Sequence, residues 1–174
     1  MHRHFFRFFF LGFLLLGCSV KPIQAPSKQI DKLATLIYGL DSHVPRQESF
    51  YLSRDIFQKT KSLTKEFELT SPPIWHNFLV NIGMRKKGLC FDWSDALYLY
   101  LNKRNYPHYA FHLVGANIGE YFSEHNALVI IPKGGKIEKG IIIDPWRNSG
   151  KLYFSKVKDD KAYVWSHRTD RGCP

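Results

Sequence analysis

The chain has 174 residues, with 25 lysines and arginines against 15 aspartates and glutamates, a formal charge of +10. That length suits one compact domain, and 44% hydrophobic with 16% aromatic residues is too apolar for a disordered chain. Three cysteines make no disulfide scaffold, there is no paired CxxC zinc spacing, P-loop or dinucleotide glycine fingerprint, and the basic residues are scattered rather than interleaved with aromatics.

Residues 1–17 read as a signal peptide: Arg3 and Arg7 supply a positive start, and the apolar run from Phe8 to Leu16 is too short to span a bilayer. Leu15-Leu16-Gly17-Cys18 looks like a lipobox, in which Cys18 becomes the lipidated first residue of the mature chain. Several acyl chains anchor a protein stably where one does not. Residues 18–28, with Pro22 and Pro26, read as the lipidated cysteine and a tether, and residues 29–174 as the folded domain. Ser19 after the cysteine points to the outer membrane of a bacterial envelope, periplasmic side. The expected partners are a membrane, through the lipid, and no nucleic acid. The positive charge favours an acidic or anionic partner.

Along the domain, Ile30, Leu33, Leu36, Ile37 and Leu40 recur at helical spacing, which predicts a helix over 28–40. Leu52, Ile56, Leu63 and Phe67 predict a second, more polar helix over 48–67. Thr70-Ser71-Pro72-Pro73 is a helix start signal. It opens a third helix whose buried stripe is expected to be Trp75, Phe78, Leu79 and Ile82, ended by Gly83. A fourth helix runs over 90–103, with Trp93, Leu97, Tyr100 and Leu101 apolar, until Asn105 and Pro107 stop it. The period then changes. Residues 109–114, 127–131, 140–143 and 151–154 read as strands, with Lys133-Gly134-Gly135 as a hairpin tip. Helices first and strands after predict an α+β fold, helices packed on a mainly antiparallel sheet.

Three polar residues stand where polar residues are not expected. Cys90 opens a helix, His125 opens an apolar strand, and Asp144 closes the strand Ile141-Ile142-Ile143. An antiparallel pair brings the start of one strand beside the end of the next, so His125 and Asp144 are expected to be neighbours. The helix dipole lowers the pKa of a thiol at its N-terminus. An imidazole takes the proton, and a carboxylate fixes the imidazole and stabilises its charged form. The Cys90 N–H is a natural oxyanion donor, with Asn77 and Asn81 as candidates for the second. His112 is an alternative base, and Trp146 and Arg147 are candidates to line the cleft. His108 and His112 are badly spaced for one metal on a strand. Cys90 has two plainer readings, an inert thiol or a disulfide with Cys173.

The order Cys90, His125, Asp144 resembles the transglutaminase-like branch of the papain-like cysteine peptidase superfamily. The matching pieces are Gly88-Leu89-Cys90-Phe91-Asp92-Trp93-Ser94-Asp95-Ala96-Leu97, His125-Asn126, and Ile143-Asp144-Pro145-Trp146. The resemblance implies a papain-like core with the nucleophile at a helix N-terminus and thiol-dependent hydrolysis or transfer on a peptide, protein or cell-wall amide. It implies a Cys90-His125-Asp144 triad, substrate contacts at Trp93, Asn126 and Trp146, and no metal or organic cofactor. Met84 stands where a papain-type glutamine is absent. The competing reading is a non-catalytic envelope lipoprotein on the same fold, acting as a binding or assembly module.

Overall fold

The computed structural model describes residues 20–21 and 27–169. The signal segment, Cys18 and Cys173 lie outside the described residues. Helix α1 is Ser27–Tyr38 and buries Leu33, Ala34 and Ile37, the stripe its spacing predicts. Helix α2 is Arg46–Glu66 and buries Leu52, Ile56 and Leu63 together with Ser49, Ser53 and Thr64. Those small hydroxyls let neighbouring backbone approach: Ser53 Oγ donates to the Ile30 carbonyl at 2.7 Å, and Ser49 Oγ meets the Tyr109 hydroxyl at 2.8 Å. Ser27 and Lys28, expected to finish a tether, are already helical, and the Val20 N–H donates to the Leu69 carbonyl at 2.8 Å.

Helix α3 is Pro73–Asn81, with proline in its first turn. Its predicted buried stripe holds at Leu79 and fails at Phe78 and Ile82. The helix buries His76 and Leu79, while Phe78 and Ile82 are exposed and Trp75 is half-buried. Hydrophobicity alone assigned the inner face, and a polar side chain, His76, in fact occupies it. Helix α4 is Cys90–Lys103 and buries Trp93, Leu97 and Leu101.

The strands are β1 (Tyr109–Ala116), β2 (His125–Pro132), β3 (Ile141–Asp144), β4 (Tyr153–Lys156) and β5 (Ser166–His167). They form one antiparallel sheet in the order β4-β3-β2-β1-β5. The short β5, absent from the sequence reading, has only two residues and no periodicity to betray it. The β2–β3 connection is not a tight hairpin either: a turn at Gly134 leads into a 3₁₀ turn, Ile137–Lys139, before β3.

Alternation along the strands builds two cores. Phe111, Leu113, Leu128, Ile130, Ile141 and Ile143 face the helices and meet Leu33, Leu52, Ile56 and Leu97. Val114, Val129, Ile131 and Ile142 face the other way and are covered by Trp165, with Tyr163 and Val157 at its edge. Burial on both faces explains why β2 reads as a continuous apolar run rather than an alternating one. The fold is therefore α+β, four helices and a five-stranded antiparallel sheet among the described residues. None of those helices is long and apolar enough to cross a membrane.

Candidate active site

The loop between α3 and α4 sets the position of Cys90, and His76 clamps that loop. Its ring is fully buried. Nδ1 accepts the Thr70 N–H at 3.2 Å, so the proton sits on Nε2, which donates to the Lys87 carbonyl at 2.9 Å. Burial lowers the His76 pKa, partly opposed by that bond to Lys87 and helped by the charge of Arg85, which suits a neutral structural imidazole. The chain then passes so close to the ring that only glycine fits. Gly88 has φ of +126°, and a β-carbon there would lie 2.1 Å from His76 Nε2.

Asp92 fixes the start of α4. Its Oδ2 accepts the N–H groups of Gly88 at 2.8 Å and Leu89 at 2.9 Å, which satisfies donors that a helix start leaves open. Trp93 anchors the first turn from below: its indole N–H donates to the Gly88 carbonyl at 3.2 Å, and its ring packs edge-on against Phe67. Cys90 is thus the first residue of the helix, half-buried, with its N–H free of any intrahelical acceptor.

His125 and Asp144 come together through strand register. Leu128 pairs with Ile143 across β2 and β3. Continuing that register sets Asp144 across from Ala127, two residues from His125 and on the same face. His125 Nε2 lies 2.7 Å from Asp144 Oδ2, and both side chains are essentially inaccessible to solvent. Cys90 lies close enough to the same imidazole for each group to shift the other's ionisation, and with Nε2 committed to Asp144, Nδ1 is the nitrogen without that carboxylate. Asn126, the next residue on β2, points to the opposite face and places its Nδ2 3.7 Å from Cys90 Sγ.

These contacts shift both ionisations in the same sense. Burial opposes the charge on His125, but the hydrogen bonds and charges of Asp144 and Cys90 outweigh it and raise the imidazole pKa to about 9. Burial also opposes ionisation of Cys90, yet His125 and Asn126 overcome it and bring the thiol below its ordinary value. Each group stabilises the charged form of the other, the condition that a thiolate–imidazolium pair requires.

Behind Asp144 lies a group of charges that sequence reasoning did not find. The Arg147 N–H donates to Asp144 Oδ1 at 3.1 Å and its Nε to Oδ2 at 2.9 Å. The other two guanidinium nitrogens form a fork on Asp160, at 3.1 and 2.8 Å. Asp160 also accepts the Trp165 indole N–H at 2.9 Å and the Ala162 N–H at 3.1 Å. The guanidinium lies 3.8 Å from the centre of the Tyr153 ring and 4.9 Å from that of Tyr163. Arg147 therefore supports the carboxylate from behind and does not line the cleft. Burial works against the Asp160 charge, but Arg147 and Trp165 keep its carboxyl below the usual range, and the same ion pairs raise the Arg147 pKa.

The remaining sequence candidates divide. Trp146 packs its ring 4.8 Å from His125 and donates from its indole to Asn77 Oδ1 at 3.0 Å, so it walls the imidazole. Tyr163 and Trp165 pack on the other sides of the same ring. Trp93 is a correction: only 1% exposed, it belongs to the core under the loop and cannot touch a substrate. His112, the alternative base, meets His167 at 3.3 Å, and His108 pairs with Glu48. Beside Cys90 runs an open groove of about 650 Å³, lined by Asn77, Asn81, Asn126, Phe78 and Phe122 among others.

No family model matches the chain, and no curated protein and no solved structure matches it.

Proposed function

We propose that this chain is a thiol-dependent amidase or acyltransferase with the transglutaminase-like arrangement of the papain-like cysteine peptidases. Cys90 is the nucleophile, His125 the base and then the acid, and Asp144 the carboxylate that orients the ring. One observation carries the reading: a buried imidazole, bonded to a carboxylate at 2.7 Å and raised to about 9, is followed on its strand by Asn126, whose amide lies 3.7 Å from the sulfur of a cysteine at the start of a helix. A structural histidine buried in an apolar core is instead pushed down and neutral, as His76 is.

The chemistry follows from those roles. The Cys90 thiolate attacks an amide carbon, and the carbonyl π pair moves onto oxygen, where the Cys90 N–H and the Asn126 carboxamide receive it. His125 gives its proton to the departing amine as the C–N bond breaks, leaving a thioester and a neutral imidazole. Water, or a second amine, then loses a proton to His125 and attacks the thioester, and the thiolate leaves. These steps use only protons and acyl bonds. Sequence features add the location: a lipid on Cys18 would hold the domain at a bacterial envelope membrane, within reach of peptide, protein or cell-wall amides.

The test is the rate of Cys90 carboxymethylation by iodoacetamide as a function of pH. The wild-type thiol is expected to react as a thiolate well below the ordinary thiol pKa of about 8.5, and His125→Ala to return the acid limb to about that value. An acid limb that His125→Ala leaves in place refutes the pair and favours the non-catalytic binding module.

A further inference from the structure

The groove beside Cys90 has two apolar walls. Helix α3 supplies Ile74 and Phe78, 69% and 47% exposed. The β1–β2 loop supplies Tyr121 and Phe122, 89% and 98% exposed, with ring centroids 4.9 Å apart in an edge-to-face pair. Single exposed apolar residues are ordinary, but four that converge on one groove from two separate elements are not. The loop that carries the aromatic pair is stapled to itself. Glu124 Oε2 accepts the Gly119 N–H at 2.8 Å, the Glu124 N–H donates to the Glu120 carbonyl at 2.8 Å, and Asn117 Nδ2 donates to the Ser123 carbonyl at 3.2 Å. Side chains presented on a fixed loop lose little freedom when they bind.

The floor and the charge narrow the occupant. Asn77, Asn81 and Asn126 offer carboxamides, whose donors and acceptors match those of a peptide backbone. Among the described residues, Glu124 is the one carboxylate or cation lining the groove, and it is paired with Arg168. The chain carries a charge of +10, yet no lysine or arginine among the described residues lines the site. An acidic polymer or a phosphate headgroup would find no counter-charge there, contrary to the expectation drawn from overall charge. A bilayer would leave the carboxamide floor unpaired in an apolar medium, which is costly.

We infer that the groove takes an extended peptide with uncharged, apolar side chains on both sides of the reacting amide. One side chain seats against Ile74 and Phe78, the other against Tyr121 and Phe122, and the backbone between them meets the asparagines over Cys90. The inference rests on the reading of Cys90 as the nucleophile.

The experiment uses epoxysuccinyl peptides extended on both sides of the reactive carbon, in two matched forms with Leu/Phe or with Glu as the flanking residues. Each inactivation rate is divided by the same protein's iodoacetamide rate. The Leu/Phe probe is expected to exceed the Glu probe by about 30-fold, within the range that apolar pockets discriminate. Phe122→Ser and Ile74→Ser, both at exposed positions, are each expected to reduce that ratio by about tenfold. Equal rates for the two probes, or a ratio that both substitutions leave unchanged, overturn the inference while a His125-dependent acid limb keeps the nucleophile intact. Equal rates together with binding to phosphatidylglycerol vesicles that Phe122→Ser abolishes would assign the aromatic pair to a bilayer instead. Loss of the His125-dependent limb itself would remove the nucleophile and this inference with it.

Discussion

Arg147 stands 2.9 Å from one buried carboxylate and grips another in a fork, and this doubles the control over His125. A guanidinium touching Asp144 alone would draw off the field that Asp144 exerts on the imidazole. Asp160 neutralises that guanidinium from behind and so returns the full negative charge of Asp144 to His125. In Asp160→Asn, Arg147 is expected to lower the imidazole pKa from about 9. The alkaline limb of amide turnover, where His125 loses its proton, moves to lower pH. A purely structural role for Asp160 would lower the amplitude and leave that limb in place. Breaking one partner of a buried ion pair also costs about 3 kcal/mol in stability, readable by urea unfolding. The grouping of Cys90, His125 and Asp144 was legible because each interrupts an apolar pattern. Asp160 was not, because between Lys158 and Lys161 it looks like any solvated surface charge.

At the scale of elements, the approach to α4 determines whether Cys90 arrives at all. His76 holds the Lys87 carbonyl, Gly88 passes against the ring, and Asp92 and Trp93 tie Gly88 from the other side. Gly88→Ala places a methyl inside the imidazole and forces a side chain into a φ of +126°. The expected loss is about 2–4 kcal/mol in urea unfolding, above the ~1 kcal/mol of an ordinary lost cap, for which Asp92→Ala is the reference. Displacement of the Cys90 sulfur should also move its acid limb toward that of a free thiol in Gly88→Ala. The sequence placed α4 at its true start because a glycine, a leucine and then an amphipathic run mark it. It misread α3, whose spacing gave the helix but not its orientation. Phe78 faces out as a groove wall, while His76 faces in because both its nitrogens find backbone partners and Thr70 lies alongside.

Across the whole molecule, the site joins parts that are unequally secured. Cys90 comes from the helix layer, His125 and Asp144 from the centre of the sheet, and Asp160, Tyr163 and Trp165 from the segment that covers the far face. The helix-side core contains α1, α2 and α4 and most of the large buried side chains. The far face is covered chiefly by residues 157–168, pinned by two residues of β5 on β1 and by Trp165. Local opening follows the thinnest packing, so residues 157–168 should form the least stable cooperative unit. In native-state hydrogen exchange with rising urea, the Arg168 N–H, bonded to the Leu113 carbonyl at 2.9 Å, is expected to exchange through a subglobal opening. Amides of Leu128 to Ile131 in the middle of β2 should exchange only on global unfolding. Trp165→Ala, which opens a cavity and frees one acceptor of Asp160, should lower the first free energy by about 3 kcal/mol. It should lower the second by less if the far cover opens as its own unit. An equal drop in both would mean that the two cores fold as one, and that the charge group behind His125 is as secure as the sheet it rests on.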